Sequence, residues 1–295
     1  PVLNSVQTLT VTHCSTTFFF VLSKASYSSC STYKACSWLR FAFGFPEKPT
    51  RRFLDIDTAA KIDVRRQDGC KMLIAFAGQK GGVGKSTLSM AVACEFLVRG
   101  RRTLLVDGDY EQGTVRVFAN IAAEKGHEAP VVVAMGKNMY RPDQLPALAQ
   151  AYDVTVIDCP PRYAEVQRAA LMVADVVVLP VGPNPADLWA LANTAELVEQ
   201  ALAVRPELRA GVLINRKDTR TVLGRKVRTT AIASELHVFA VEVSNRVALA
   251  EAPAAGLGVT VYAPNDQAST QIRALVDELA ALGNMYTQER SAANG

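Results

Sequence analysis

The stretch that decides the fold is GQKGGVGKST at residues 78–87. It follows a short apolar run at 72–77 and precedes a segment of helical character at 88–98. A glycine-rich turn between a strand and a helix lets backbone N–H groups converge on an anion, because glycine has no Cβ to block the approach. The run ends in the G-K-[ST] of the pattern G-x-x-x-x-G-K-[ST], although five residues instead of four separate Gly78 from Gly84. It predicts a phosphate-binding loop, with Lys85 on the β- and γ-phosphates and Ser86 on Mg²⁺. The predicted nucleotide-binding residues of the loop are Gly81, Gly82, Val83, Gly84, Lys85, Ser86 and Thr87.

A second lysine, Lys80, lies in the same loop, five residues before Lys85. An ordinary phosphate loop needs only one lysine. The segment KGGVGKST at 80–87 resembles the deviant phosphate loop of the ParA/MinD family of P-loop ATPases. In that family the earlier lysine crosses a dimer interface to the phosphates of the partner's ATP. The resemblance implies a homodimer that holds ATP and Mg²⁺ between its subunits; the alternative for Lys80 is a solvated loop charge.

Beyond the loop, short β-branched runs alternate with helical segments. This alternation predicts an α/β fold, a mostly parallel twisted sheet with helices on both faces, and the resemblance implies a SIMIBI-type P-loop NTPase. The predicted strands lie at 73–77, 103–107, 130–134, 154–158, 176–181, 211–214, 238–243 and 259–262. The predicted helices lie near 86–99, 142–150, 163–172, 186–203, 221–235, 246–254 and 267–282. We expect one domain at 72–285 and a polar tail at 286–295.

Composition narrows the class of protein. The chain has 295 residues, of which 49% are hydrophobic and 20% charged, so it can bury a full core and is not of disordered type. No apolar stretch approaches the roughly 20 residues that a membrane span needs, and no membrane partner is expected. The six cysteines show no C-x-x-C spacing. The absence of this spacing argues against a zinc site. Beside a nucleotide-binding loop, the cysteines are expected to be reduced thiols of a cytoplasmic protein.

The segment at 1–71 differs from the rest of the chain. It is rich in Ser, Thr and Cys, carries ten basic and five acidic residues, and leaves the remainder close to neutral. Met72 is the first methionine and directly precedes the strand that leads into the loop. We therefore expect 1–71 to be upstream sequence from a misplaced start, with Met72 as the true start. The alternatives are a real extension that resembles an organellar transit peptide, or a DNA-binding helix-turn-helix, which two prolines at 41–49 disfavour.

Acidic residues end two of the predicted strands, where a parallel sheet faces its ligand crevice. The strand at 103–107 ends in Asp107-Gly108-Asp109, which resembles the first switch motif of the family. The resemblance implies that Asp109, 24 residues after Lys85, positions the attacking water, with Asp107 as support near the loop. The alternative for Asp107 is an acid that only caps the end of the strand. After Asp109 the family usually has Pro-Gln-Gly, whereas this chain has YEQG at 110–113, with one extra residue.

The strand at 154–158 ends in Asp158 before a double proline and resembles a Walker B motif. The resemblance implies that Asp158 and Ser86 hold Mg²⁺. It also places Asn215 and Pro264 in the loops that contact the base of the nucleotide. An amide in a turn often serves only the backbone, and that reading of Asn215 stays open.

A cluster of basic residues follows the predicted strand at 211–214, opposed in that window only by Asp218. The residues proposed to contact DNA are Arg216, Lys217, Arg220, Arg225, Lys226 and Arg228. Such a cluster is often a solvated face. In ParA proteins an arginine of the same loop, matching Arg220, contacts DNA without sequence preference, and such phosphate contacts give salt-sensitive affinity.

The resemblance covers about 72–282 and is closest to the ParF-like plasmid partition branch. It implies slow, Mg²⁺-dependent hydrolysis of ATP to ADP, with Lys80, Lys85 and Asp109 as catalytic residues. The ATP-bound dimer would bind nucleoid DNA and a centromere-binding adaptor of the ParB/ParG kind in a bacterial cytoplasm, and so move plasmid or chromosome DNA. Two alternatives stay open: a MinD-like, membrane-associated regulator of division, and a metabolic ATP-dependent synthetase on the same scaffold.

Overall fold

The computed structural model describes residues 8–13, 16–21, 72–109, 111–161, 163–218, 220–232 and 236–293. They fall into two units, divided near residue 61. In the first unit β1 (Thr8–His13) and β2 (Thr16–Val21) pair antiparallel, with Thr8 opposite Val21. The sequence predicts no strand pair there. The predicted upstream origin of 1–71 stays a prediction.

A parallel sheet of seven strands forms the centre of the second unit, within the part of the chain that the structure describes. The strands lie side by side in the order β5-β4-β6-β3-β7-β8-β9. They are β3 (Met72–Phe76), β4 (Thr103–Asp107), β5 (Val131–Ala134), β6 (Val154–Asp158), β7 (Val176–Val181), β8 (Arg209–Lys217) and β9 (His237–Ser244). Every residue of β3, β4, β6 and β7 is buried, as expected for strands covered on both faces.

Helices cover both faces of this sheet. They are α1 (Lys85–Val98), α2 (Thr114–Glu124), α3 (Leu145–Ala149), α4 (Ala164–Val173), α5 (Pro185–Leu202), α6 (Val222–Ile232), α7 (Val247–Ala254), α8 (Val259–Tyr262) and α9 (Gln267–Ala293). Alternate residues of β3 divide between two apolar clusters, Leu73 and Ala75 in one, Ile74 and Phe76 in the other. The first cluster includes side chains of α3, α4 and α5, and the second includes those of α1 and α9. The predicted α/β class is confirmed.

The predicted strand at 259–262 is wrong, because this segment is the short helix α8. The hydroxyl of Ser269 donates to the carbonyl oxygens of Val259 and Ala263, at 2.9 and 2.6 Å. Just before α8, Gly258 packs directly on α1, since a Cβ at this position would lie 2.4 Å from the Cβ of Cys94. The segment therefore covers α1 instead of extending the sheet.

Two further helices differ from the sequence prediction. Helix α2 was not predicted, although Val115, Phe118 and Ala122 are buried at helical spacing. Helix α9 continues to Ala293, through most of the segment predicted as a polar tail. Among the described helices, none has both the length and the apolar character required to span a bilayer.

A buried carboxylate anchors the first strand of the sheet. Asp175 precedes β7 and is 1% exposed. Its Oδ2 accepts a hydrogen bond from the backbone N–H of Leu73 at 2.7 Å, and its own N–H donates to the carbonyl of Leu73 at 2.8 Å. This pair fixes the start of β3, and thereby the strand that leads into the phosphate loop.

We expect Asp175→Ala to lower the free energy of unfolding by about 1–3 kcal/mol, because it leaves the buried N–H of Leu73 without an acceptor. Asp153→Ala is the matched control: its carboxylate accepts from the backbone N–H of Arg102 at 3.0 Å in an exposed position. The control should lower the free energy of unfolding by less than half as much. Urea denaturation of the three proteins measures both values, and equal losses would contradict the anchoring role.

Candidate functional site

The carboxyl ends of three neighbouring strands meet at the glycine-rich loop. Asp158, the last residue of β6, lies opposite Phe76 of β3 on one side and Asp107 of β4 on the other. The loop begins two residues after Phe76 and leads directly into α1. The loop at 78–87 and the acids of two strands therefore lie along one edge of the sheet, where the sequence predicts the ligand crevice.

The loop backbone has the geometry of an anion cradle. Gly78, Gly82 and Gly84 have positive φ angles of 148°, 76° and 98°. Gly84 is the residue before the first turn of α1 and offers no side chain to cap it. The N–H groups of that turn are thus available to a phosphate, which the helix dipole also favours.

Asn215 locks this loop in place. It is 4% exposed and donates from Nδ2 to the carbonyl of Val83 at 2.7 Å. A Cβ on Gly84 would lie 2.3 Å from the same nitrogen, so glycine is required at that position for its backbone angle and for space. Asn215 belongs to β8, not to a loop as the sequence predicts. The structure therefore gives it a contact with the loop backbone, and its predicted contact with a base stays a prediction.

Lys85 is a buried cation at the floor of the loop. It is 5% exposed, and its Nζ donates to the carbonyl of Lys80 at 2.8 Å. Burial lowers the pKa of Lys85, and the nearby Asp158, Cys159 and Asp109 offset part of that shift. A buried ammonium held by one carbonyl can exchange that partner for phosphate oxygens, which are stronger acceptors.

Asp158 and Ser86 together fit the requirements of a hard divalent cation. Asp158 is 1% exposed, and burial raises its pKa to about 7, against the opposing effects of the Ser86 hydroxyl and of Lys85. Within the described chain, its Oδ1 has no hydrogen-bond partner. A buried, unpartnered carboxylate oxygen beside a hydroxyl is a suitable donor set for Mg²⁺, which prefers oxygen ligands.

The proposed water-positioning residue, Asp109, lies in the connection between β4 and α2. Its N–H donates to Oδ1 of Asp107 at 3.0 Å, and its own Oδ1 accepts from the N–H of Gln112 at 3.2 Å. Asp107 is fully buried, and its Oδ2 lies 3.2 Å from Nε of Arg116. The sequence does not predict Arg116, because only the fold of α2 brings it back to the end of β4.

Lys80 points away from Lys85, towards the surface of the loop. Its Nζ lies 3.6 Å from Oδ1 of Asp187, in the first turn of α5, and 41% of its side chain is exposed. The two lysines of the loop therefore occupy different environments. Lys85 is buried beside Asp158, whereas Lys80 is accessible and forms a long ion pair with Asp187.

Gln167 is a site residue that the sequence does not reveal. It is fully buried in α4, and its Nε2 donates to the carbonyls of Pro160 and Gly78, at 2.8 and 3.3 Å. One side chain thus joins the loop to the segment that follows Asp158. From the sequence, only its helical spacing relative to Val166 and Ala170 could have indicated that its side chain points into the core.

Several side chains of the predicted basic cluster form ion pairs, so the cluster carries less uncompensated positive charge than the sequence suggests. Lys217 and Arg228 both form ion pairs with Glu242 of β9, the latter at 3.3 Å. Arg220 is held by Asp218 at 2.9 Å, which lowers the pKa of Asp218 to about 2. Asp218 is the one acid within that sequence window, but Glu242 from outside the window also opposes the cluster. The missed partner lies on a strand that the window did not include.

Other members of the cluster differ in their environment. Arg216 lies in β8 with a positive φ of 54°, and its side chain is exposed. Arg225 is exposed on α6, and its Nη1 donates to the carbonyl of Arg220 at 3.2 Å. Lys226 also belongs to α6, but its side chain lies outside the described atoms. Arg216 and Arg225 are thus the cluster members best placed to meet an external anion.

Pro264 lies in the turn between α8 and α9. Its carbonyl accepts a hydrogen bond from Nη1 of Arg273 at 3.1 Å. Because the strand predicted before it is a helix, the loop expected at a strand end is a turn between two helices. Its predicted contact with the base of the nucleotide stays a prediction.

These features define a nucleotide-binding protein of the P-loop class, with a deviant, two-lysine loop. The chain matches the family model of the CobQ/CobB/MinD/ParA nucleotide binding domain over residues 74–259, and it belongs to this family. The predicted ParA/MinD membership is confirmed. Members of this family are nucleotide-hydrolysing P-loop ATPases.

This chain aligns with two curated relatives over nearly the whole length of each. It is 31% identical to the chromosome-partitioning ATPase Soj of Thermus thermophilus, with 70% of this chain and 95% of that protein covered. It is 29% identical to the maintenance of carboxysome distribution protein A of Halothiobacillus neapolitanus, with the same shares covered.

Solved structures show the same fold. The cell division ATPase MinD of Pyrococcus furiosus superposes with a TM-score of 0.60 at 18% identity, over 72% of this chain and 99% of that one. The septum site-determining protein MinD of Pyrococcus horikoshii, solved in complex with Mg-ADP, gives a TM-score of 0.60 at 17% identity over 73% and 98%.

We expect Asn215→Ala to weaken nucleotide binding about fivefold, because loss of the buried hydrogen bond to Val83, about 1 kcal/mol, loosens the loop. Titration with a fluorescent ATP analogue measures the dissociation constant. Asn138→Ala, in an exposed turn after β5, is the control and should bind as the unaltered protein does. Unchanged affinity in Asn215→Ala would show that the loop keeps its shape without this contact.

Proposed function

We propose that the protein is a ParA-type ATPase that hydrolyses ATP as a Mg²⁺-dependent homodimer and positions plasmid or chromosome DNA in a bacterial cytoplasm. The observation that carries this proposal is the difference between the environments of the two loop lysines. Lys85 is buried in the crevice beside Asp158, whereas Lys80 is exposed at the surface and free to reach a second molecule once it leaves Asp187. Family membership supports nucleotide binding at the same loop.

Within one subunit, the loop N–H groups and Lys85 would bind the phosphates of ATP. The ammonium of Lys85 then exchanges the carbonyl of Lys80 for phosphate oxygens. Ser86 and Asp158 would hold Mg²⁺, which would neutralise charge on the phosphates. Asp109 orients the water. Phosphoryl transfer depends mainly on such positioning and charge stabilisation, and this chain offers both at one sheet edge.

Between subunits, Lys80 would neutralise the triphosphate bound by the partner. Its pairing with Asp187 spans 3.6 Å and is partly exposed, and such pairs contribute only about 0–1 kcal/mol. A phosphate group of the partner's nucleotide is a stronger acceptor and can replace Asp187. ATP therefore favours dimerisation, and its hydrolysis releases the pair.

Lys85→Ala should abolish binding of ATP, because the buried cation of the crevice is lost. Lys80→Ala should spare binding by the single chain and lose ATP-dependent dimerisation. Fluorescence titration and light scattering with a non-hydrolysable ATP analogue measure these two properties.

Lys125→Ala serves as the control, since the ammonium of Lys125 contacts only the carbonyls of Ala254 and Ala255 among the described groups. It should bind nucleotide and dimerise normally. If Lys80→Ala still dimerised with ATP, the trans role of Lys80 would be refuted.

We infer that the dimer binds DNA without sequence preference, through the exposed arginines around β8 and α6. Two copies of Arg216 and Arg225 would form a wider basic surface than one chain offers, and phosphate contacts of this kind are salt-sensitive. A centromere-binding adaptor of the ParB/ParG kind would then stimulate hydrolysis. The names of two relatives, one partitioning chromosomes and one distributing carboxysomes, support a role in spatial positioning.

Charge reversal by Arg216→Glu and Arg225→Glu should reduce ATP-dependent retention on DNA about tenfold or more at moderate salt, because phosphate contacts are lost and a repulsion is added. Basal hydrolysis should not change. Arg141→Glu, also exposed and remote in sequence from the cluster, is the control. Electrophoretic mobility shifts at several salt concentrations measure the effect. Retention that is unaltered in the double variant would place the DNA surface elsewhere.

A further inference from the structure

We propose that Arg116 is a positioning residue for hydrolysis: through Asp107 it holds the backbone that carries Asp109. Arg116 acts through the carboxylate of Asp107 on the backbone N–H of Asp109, so its role is indirect. The inference rests on the proposed function, because it assigns a supporting residue within the same site.

The carboxylate of Asp107 connects a cation to the critical backbone. Its Oδ2 lies 3.2 Å from Nε of Arg116, and its Oδ1 accepts from the N–H of Asp109 at 3.0 Å. Asp107 is fully buried, so its charge must be compensated by close partners. The two oxygens therefore transmit the position of Arg116 to the residue two places along the chain.

Gly113 closes these contacts into a ring. Its N–H donates to the carbonyl of Asp109 at 2.8 Å, and it precedes α2 with a φ of 60°. A Cβ here would lie 2.7 Å from Nη2 of Arg116 and 3.2 Å from its Cζ. The guanidinium thus packs against the bare Cα of Gly113. Four residues in one short segment fix one another: Asp107, Asp109, Gly113 and Arg116.

Arg116 compensates one of two buried carboxylates that lie close together. Asp107 and Asp158 lie opposite each other on adjacent strands, and both are buried. Two neighbouring carboxylates need two cations. Lys85 supplies one on the side of Asp158, and Arg116 supplies the other on the side of Asp107. Without Arg116, Asp107 loses this ion pair and its carboxylate can rotate, which releases the N–H of Asp109.

A purely structural tie between β4 and α2 would have a different signature. It would lower stability and nucleotide binding together with turnover. A positioning residue lowers kcat while the affinity for ATP persists, because the loop and Lys85 are not altered. The side chain of Arg116 is 44% exposed, so a small guanidinium ion from solution has access to the position that Arg116→Ala vacates.

The experiment compares Arg116→Ala with the unaltered protein. We expect kcat to fall about ten- to a hundredfold, the range that small misplacements of catalytic groups cause, with KM and the affinity for an ATP analogue within threefold. Millimolar guanidinium chloride should restore part of kcat in Arg116→Ala and none in the unaltered protein. Arg102→Ala is the matched control, since Arg102 pairs with Asp153 at the opposite end of β4. It should keep full kcat.

A second variant guards against misfolding of the first. Gly113→Ala retains every charge but pushes a methyl group against the guanidinium, and it should show the same fall in kcat with the same affinity for the analogue. The inference is overturned if Arg116→Ala keeps its kcat, or if kcat and nucleotide affinity fall in parallel and guanidinium restores neither. An unaltered protein that binds ATP but never hydrolyses it would instead contradict the proposed function.

Discussion

The structure depends on compensating charge at one edge of a parallel sheet. Asp107 and Asp158 end neighbouring strands and are both buried, so each needs a cation within reach. Lys85 from the phosphate loop and Arg116 from α2 provide these cations. Among the described atoms, Oδ1 of Asp158 has no hydrogen-bond partner, and under the proposed function it would hold Mg²⁺ together with the Ser86 hydroxyl. The site is thus built from opposite charges that the fold forces together.

The central part of this site could be predicted from local sequence. A glycine-rich loop before a helix has one geometry that suits phosphate, and a buried strand that ends in Asp158 must present that acid at the same sheet edge. The continuous apolar runs of β3, β4, β6 and β7 likewise indicate strands covered on both faces. These features depend on a few consecutive residues, so the sequence carries them directly.

Contacts between distant segments could not be predicted in the same way. Glu242 lies 25 residues after Lys217 and neutralises it only because β8 and β9 are neighbours. Lys80 meets Asp187 because α5 starts beside the loop. The run at 259–262 has the β-branched composition of a strand, but packing on α1 and the hydroxyl of Ser269 make it helical. In each case tertiary packing decides what local preference leaves open.

Under the proposed function, Lys85 acts on the nucleotide of its own chain, and Lys80 acts on that of a partner. The most direct test is a crystal structure of the protein with Mg²⁺ and a non-hydrolysable ATP analogue. We expect a dimer in which Nζ of Lys80 has left Asp187 and lies about 2.7–3.2 Å from a phosphate oxygen of the partner's nucleotide. A nucleotide-bound single chain, with Lys80 still paired to its own Asp187, would contradict the account.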